Sequence, residues 1–370
     1  MGLNKAFSWQ KNALHRLVSA HPIEIMELNL SPVHHFTLQL APTMGVRMLR
    51  ILMCASLCVA LNSCVNRSPL PAGGALENKP YLPAPDLVFE IEGMSHCTSV
   101  DDARLHINKG EPVTLIVHGC FLSAGRFRAL ADVFAFHGQQ TICFNYDDRD
   151  RISDSAAQLN QALAKLSEKI DTDQITVIGH SQGGLVARQS VSEFNDAQAL
   201  SKKTKISLAT ISGPFGGIES SKHCGWRWLH LASFGITTAV CQAVTGSKWT
   251  EIPPDSRFIQ NPTPLNTNVV RFLKINTDET ETCRRHDAEG RCIEDDYVFS
   301  LAEQSHPVLD QLEIVKQATV KAGHVEIVGD SITAPDKLIR VLQQGGYMRD
   351  TPAERQAAFR DLLDQLYVMN

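Results

Sequence analysis

Five consecutive residues, Gly179-His180-Ser181-Gln182-Gly183, set a serine between two glycines at the spacing G-x-S-x-G. A serine hydroxyl is a weak nucleophile. It needs a base to take its proton and donors to hold the charge that forms on the attacked carbonyl oxygen. The pattern prepares for both. On a turn this tight, side chains two residues before and two after the serine would collide with neighbouring backbone, and glycine at both removes the collision. The turn lifts the hydroxyl and aims the amide of Gln182 at the same space. It also puts that space at the positive end of the following helix. A strand at residues 174–178 precedes the motif and a helical stretch at 184–193 follows it, which is the setting that it requires.

Other residues fit the same chemistry. His118-Gly119-Cys120 closes an earlier apolar run, residues 112–118. Glycine there lets the chain turn beneath a substrate, so the amide of Cys120 is the expected second oxyanion donor beside Gln182, with Phe121 the adjacent alternative. His118 itself reads as a structural histidine that orients this loop. Among 14 histidines, His324 in Lys321-Ala-Gly-His324-Val-Glu falls late enough to be the general base, and Gly323 frees its loop to bring the imidazole over Ser181. The acid, which fixes the tautomer of that imidazole and stabilises its cation, belongs on the loop after the strand at 269–275. Asp278, Asp295 and Asp296 all lie there.

These groups need a scaffold. Hydrophobic residues make up 43% of the 370 and charged residues 20%, enough to bury a core. The net charge of −5 gives no reason to expect nucleic acid as a partner. From about Leu87, apolar runs alternate with helical stretches. The runs are 87–91, 112–118, 140–146, 174–178, 206–211 and 269–275, and the helical stretches are 127–136, 153–170 and 184–193, with Ser153 or Asp154 as a cap for the second. Alternation of this kind predicts an α/β class fold with a mostly parallel central sheet and helices on both faces. Residues 214–265 break the rhythm: Trp226, Trp228, Leu229, Leu231, Phe234, Ile236 and Val240 precede a loop holding Pro253, Pro254, Pro262 and Pro264. This reads as a small helical lid insertion, or else as a peripheral helix. No group of ligand-type residues has metal spacing, and no cofactor is implied.

The run from Val113 to Arg188, with its His-Gly turn and its Gly-His-Ser-Gln-Gly-Gly elbow, resembles lipases and esterases of the α/β-hydrolase superfamily, including triacylglycerol lipases and GPI-inositol-deacylase-like proteins. The resemblance covers most of residues 87–345. It implies acyl transfer in two steps through a Ser-His-Asp triad, with a small-molecule or lipid ester as substrate. Asp295-Asp-Tyr-Val298 resembles the family's D-x-x-V, which favours Asp295 as the acid, then Asp296, then Asp278. That choice makes 280–294 an insertion bracketed by Cys283 and Cys292, which a disulfide would staple. Cys224 and Cys241 would bracket the lid in the same way, and Cys97 would pair with Cys120 or Cys143, leaving Cys143 as the expected free thiol. An acyltransferase or thioesterase with the same triad, and a non-catalytic envelope binding protein that keeps the fold, are the competing expectations.

Residues 44–64 carry a different signal. Arg47 and Arg50 precede an apolar run, 51–61, that is short for a membrane span but suits a signal peptide. It ends in Leu61-Asn62-Ser63-Cys64, which resembles a bacterial lipobox and implies a lipidated Cys64 and a membrane partner. Residues 64–86, rich in Pro, Gly, Asn and Ser, read as a flexible tether. Val65 in place of aspartate would direct the anchor to the outer membrane, facing the periplasm. Residues 1–43 then stand upstream of the signal, so Met44 or Met48 is the expected start, with the hydrolase domain at 87–370.

Overall fold

The computed structural model describes residues 81–97, 104–120, 124–193, 203–225, 236–330 and 332–367. The expected lipidation residue Cys64, the signal segment, nearly all of the tether, Phe121 and the tryptophans Trp226 and Trp228 lie outside them.

Among the described residues, seven strands form the main sheet in the order β11-β8-β7-β6-β4-β5-β2. These are β2 (Met94–Ser95), β4 (Val113–Val117), β5 (Gln140–Phe144), β6 (Gln174–His180), β7 (Lys205–Ile211), β8 (Val269–Asp278) and β11 (Val315–Lys321). All neighbours are parallel except β2, which runs antiparallel on β5. The run from Leu87, expected at the edge of this sheet, instead forms β1 (Leu87–Glu90), paired with β3 (Arg104–Ile107) in a separate ladder. β11 was not foreseen, because Val315-Lys-Gln-Ala-Thr-Val-Lys321 alternates with exposed polar residues and lacks a continuous apolar run.

The central strands are apolar on both faces, as parallel strands flanked by helices must be. Leu115, Val117, Val177 and Leu208 join one core cluster, while Ile116, Ile178, Ala209 and Ile211 join the other. The first is covered by α2 (Ile152–Lys169) and α3 (Gln182–Ser190), the second by α1 (Arg128–Phe136), α5 (Asp336–Gln344) and α6 (Gln356–Tyr367). Helix α2 turns Ile152, Ala156, Leu159, Leu163 and Leu166 inward at helical spacing. It begins one residue after Arg151 and has no side-chain cap of its own; Glu251 from another segment meets its first turn.

Between β7 and β8 the segment holds α4 (Ile236–Thr245) and a tight turn, Gly246–Thr250. Cys224–Cys241 ties it, and Cys283–Cys292 closes the hairpin of β9 (Cys283–His286) and β10 (Cys292–Asp295). Cys97 pairs with Cys143, which makes Cys120 the free thiol and corrects the expectation that Cys143 is unpaired. The reason is local: β2 lies on β5 with Ser95 opposite Cys143, so Cys97 arrives beside it. The order of strands, and the sharp passage from β6 into α3, make this the α/β-hydrolase fold.

Candidate active site

Ser181 sits between β6 and α3 with φ 55° and ψ −127°. A non-glycine residue held there costs on the order of 1–3 kcal/mol, which the surroundings must impose. They do so through the Ser181 amide, which donates to Ile211 O on β7 at 2.8 Å, and through its carbonyl, which accepts from the Gly184 amide at 2.9 Å. The flanking glycines answer to close approach. A Cβ on Gly179 would stand 2.3 Å from Gly183 O, and one on Gly183 would stand 2.3 Å from His118 O. The Ser181 hydroxyl makes no hydrogen bond to a described residue.

The oxyanion side lies directly against the elbow. A Cβ on Gly119 would come within 2.9 Å of the Ser181 Cβ, so only glycine lets the His118-Gly119-Cys120 turn pass so near. His118 serves this turn structurally. Its ring stacks on Tyr146 at 4.4 Å, its Nδ1 meets Gly119 O at 2.9 Å, and Tyr146 donates its hydroxyl to His118 O at 2.8 Å. Burial pulls the His118 imidazole below its ordinary range.

His324 lies on the loop after β11, 7% exposed. Its carbonyl accepts from His180 Nε2 at 3.0 Å, and the two rings lie 4.9 Å apart. The residue next to the serine in sequence thereby docks the histidine loop onto the elbow. Burial, and then the neighbouring His324, hold His180 well below the usual histidine range. It is neutral and structural.

The carboxylate that meets the His324 ring is none of the three aspartates named from the sequence. Nδ1 of His324 lies 2.8 Å from Oε1 of Glu279, a residue 1% exposed at the end of β8. Oε1 also accepts from the Thr277 hydroxyl at 2.8 Å, while Oε2 accepts from the amides of Val298 at 2.6 Å and Phe299 at 2.8 Å. Ser212, the next strand's counterpart at φ 51°, stands 2.7 Å from the Thr277 hydroxyl and extends the chain of bonds. The Phe299 ring meets the imidazole edge to face at 5.0 Å.

Asp295 is exposed in the hairpin and caps its own turn, accepting from the Tyr297 amide at 2.7 Å. Asp296 is buried but turned to the backbone, accepting from the amides of Val325 at 3.0 Å and Glu326 at 2.9 Å. It fixes the histidine loop rather than the ring, and burial raises its carboxyl above the ordinary range. Asp278 points outward to Thr280 and Lys321. The physical reason for the correction is the length of β8. It runs through Asp278, three residues beyond the expected end, so the next side chain inward is a glutamate.

Sequence reading also missed Lys248. It is 5% exposed, and its Nζ donates to Gln182 Oε1 at 2.6 Å, Asp148 O at 2.6 Å and Cys120 Sγ at 2.9 Å. Burial pushes the Cys120 thiol up to about 11, against the pull of this ammonium. A lysine in a mixed polar loop gives no sequence signal of such placement. Among the described residues, no group of His, Cys, Asp or Glu side chains is arranged to hold a metal ion.

The sequence model of the palmitoyl protein thioesterase family matches residues 114–266, from β4 through the elbow to just before β8. No curated protein matches the chain. Among solved structures, the mature lipase BlEst2 of Bacillus licheniformis is similar at a TM-score of 0.44 and 13% identity, over 69% of this chain and 98% of that one. The esterase Pf2001 of Pyrococcus furiosus is similar at a TM-score of 0.36 and 15% identity, over 81% and 98%. YbtT, a type II thioesterase of the yersiniabactin pathway, is similar at a TM-score of 0.40 and 12% identity, over 69% and 98%. Likeness of this degree carries no residue role across.

Proposed function

We propose that this chain, with its α/β-hydrolase fold, is a serine hydrolase that cleaves acyl esters or thioesters through Ser181, His324 and Glu279. The observation that carries the proposal is the strained Ser181 docked through His180 to the backbone of a histidine whose Nδ1 is held by a buried carboxylate. With Glu279 accepting at Nδ1, the imidazole keeps its proton there and leaves Nε2 as the base. Substrate binding closes the Ser181–His324 contact, which is commonly loose without substrate.

Ser181 attacks the acyl carbonyl as Nε2 takes its proton. The amides of Cys120 and Gln182 receive the oxyanion. His324 returns the proton to the leaving alcohol or thiol, and the acyl group stays on Ser181. Water, deprotonated by the same nitrogen, then releases the acid. The neutral, buried His180 is no rival base.

A thioester substrate is favoured over an oxygen ester by the match to the palmitoyl protein thioesterase family model. Matched palmitoyl thioesters and oxygen esters of the same leaving-group size separate the two by kcat/KM. For the class itself, a fluorophosphonate probe should label Ser181 in the wild type and leave Ser181→Ala unlabelled. A folded wild type that resists the probe would return the chain to the class of binding proteins. The lipid tether at Cys64 and the envelope location stay part of this proposal on sequence grounds, and metabolic palmitate labelling of wild type against Cys64→Ala tests them.

A further inference from the structure

We infer that Lys248 is a positioning residue of the oxyanion site, clamping together the two residues whose amides receive the oxyanion. The inference rests on the hydrolase reading given above. Lys248 belongs to the turn Gly246–Thr250, far in sequence from both the elbow and the His-Gly turn, yet its Nζ touches each: the Gln182 side chain at 2.6 Å and the Cys120 thiol at 2.9 Å. A third acceptor, Asp148 O at 2.6 Å, is shared with Gln182 Nε2, which reaches it at 2.9 Å. One cation therefore links the tip of α3, the residue after β4's histidine-glycine turn, and the loop after β5.

The turn that carries the lysine is itself fixed. The Ser247 amide donates to Arg149 O at 2.7 Å, and a Cβ on Gly246 would stand 2.2 Å from that same carbonyl. Glu251 accepts from the Ser153 hydroxyl at 2.5 Å. The clamp is thus held from outside, by the inter-strand segment, and not by the elbow that it braces.

A buried lysine is a costly way to stabilise a fold, because its ammonium must leave water. The Cys120 thiol stays protonated at neutral pH because burial raises it to about 11, so it offers only a weak acceptor. Holding two donors at fixed separation, by contrast, lowers the reorganisation needed as charge develops on the carbonyl oxygen. Such a residue acts on the transition state more than on substrate binding.

The test compares wild type with Lys248→Met, Gln182→Met and the double variant, after fluorophosphonate labelling has established Ser181 as reactive in the wild type. Lys248→Met should stay folded, with a wild-type circular dichroism spectrum and a cooperative melt. Its kcat should fall about 10- to 100-fold with KM changed less than about threefold. Affinity for an alkylboronic acid, which mimics the tetrahedral anion, should fall by the same factor as kcat. The double variant should be no worse than the weaker single, because both remove one link. Wild-type kcat in a folded Lys248→Met, or losses that multiply in the double variant, would overturn the inference. If Lys248→Met does not fold, Gln182→Met decides: it keeps the amide and loses the clamp's acceptor, and undiminished kcat there overturns the inference equally. A wild type that resists the probe overturns the hydrolase reading first, and this one with it.

Discussion

His324 and Glu279 face each other across 2.8 Å, and the glutamate is 1% exposed. A carboxylate so buried is tolerated because every side of it is met: a hydroxyl and the imidazole on one oxygen, two backbone amides on the other. The pair fixes which nitrogen of His324 carries the proton.

Glu279→Gln keeps the shape and loses the charge. An amide nitrogen beside Nδ1 favours the opposite tautomer, and the analogous change in serine proteases costs about 10⁴-fold in kcat. We expect a loss of about 10³- to 10⁴-fold here, with Asp295→Asn at wild-type activity. Single-turnover acylation rates check both. Equal rates in Glu279→Gln and wild type would sink the assignment of the acid.

His118 and His180 are 3% and 2% exposed, and burial lowers both below the ordinary value of about 6.5. Below that pH the unfolded chain takes up protons that the folded chain refuses. Their contribution to stability is therefore complete above about 6.5 and is lost as pH falls from there, by up to about 1.4 kcal/mol per pH unit for each. Urea midpoints measured between pH 8 and 5 should be flat above 7 and decline below it. A midpoint unchanged down to pH 5.5 contradicts this.

Cys120 is the one thiol among the described cysteines, and burial raises it to about 11. At pH 8 it is protonated and half-buried, so iodoacetamide should modify it far more slowly in the native protein than in denaturant. Peptide mapping of native and unfolded protein, with Cys97 and Cys143 recovered as a pair, is the measurement. Rapid native labelling at Cys120 would mean that the clamp around it opens readily.

Glu251 caps a helix to which it does not belong. It accepts from the hydroxyl and amide of Ser153 in the first turn of α2, where amides lack helical partners, and Arg151 Nε stands 3.5 Å away. Glu251→Ala should cost about 1–3 kcal/mol by stranding those donors. Because Lys248 lies three residues upstream, Ser181 labelling should slow in the same variant. Chemical denaturation and probe kinetics on one preparation test the two together.

Much of the site was legible because it is local. The elbow is written in five adjacent residues: Gly179 answers to contact inside the strand–turn–helix unit, and Gly183 to the passing carbonyls of Val117 and His118. His324 was legible through Gly323 and its place after the last strands. The carboxylate that meets His324 was not, since which one turns inward depends on where β8 stops. Asp278 points outward and Glu279 inward, and nothing in Thr277-Asp278-Glu279 reveals which carboxylate turns in until the strand's register on β7 and β11 is set. The D-x-x-V likeness at Asp295 drew attention to a hairpin whose aspartate only caps a turn. Lys248 was invisible for a similar reason: its partners come from three other segments, and one of them, Cys120, reads in the sequence as a disulfide candidate for Cys97.

The pairing of Cys97 with Cys143 passes over Cys120. If the proposed export into an oxidising compartment holds, a domain emerging from its N-terminal side exposes Cys120 to Cys97 before residue 143 has appeared. The earliest bond then available within the domain is the wrong one, and thiol–disulfide exchange would have to undo it before β2 could lie on β5. Early acid-quenched samples should contain Cys97–Cys120, and Cys120→Ser should lack that species and oxidise faster. Order of birth and order of contact disagree in this chain, so a catalyst that reshuffles sulfur should raise the yield of oxidative refolding.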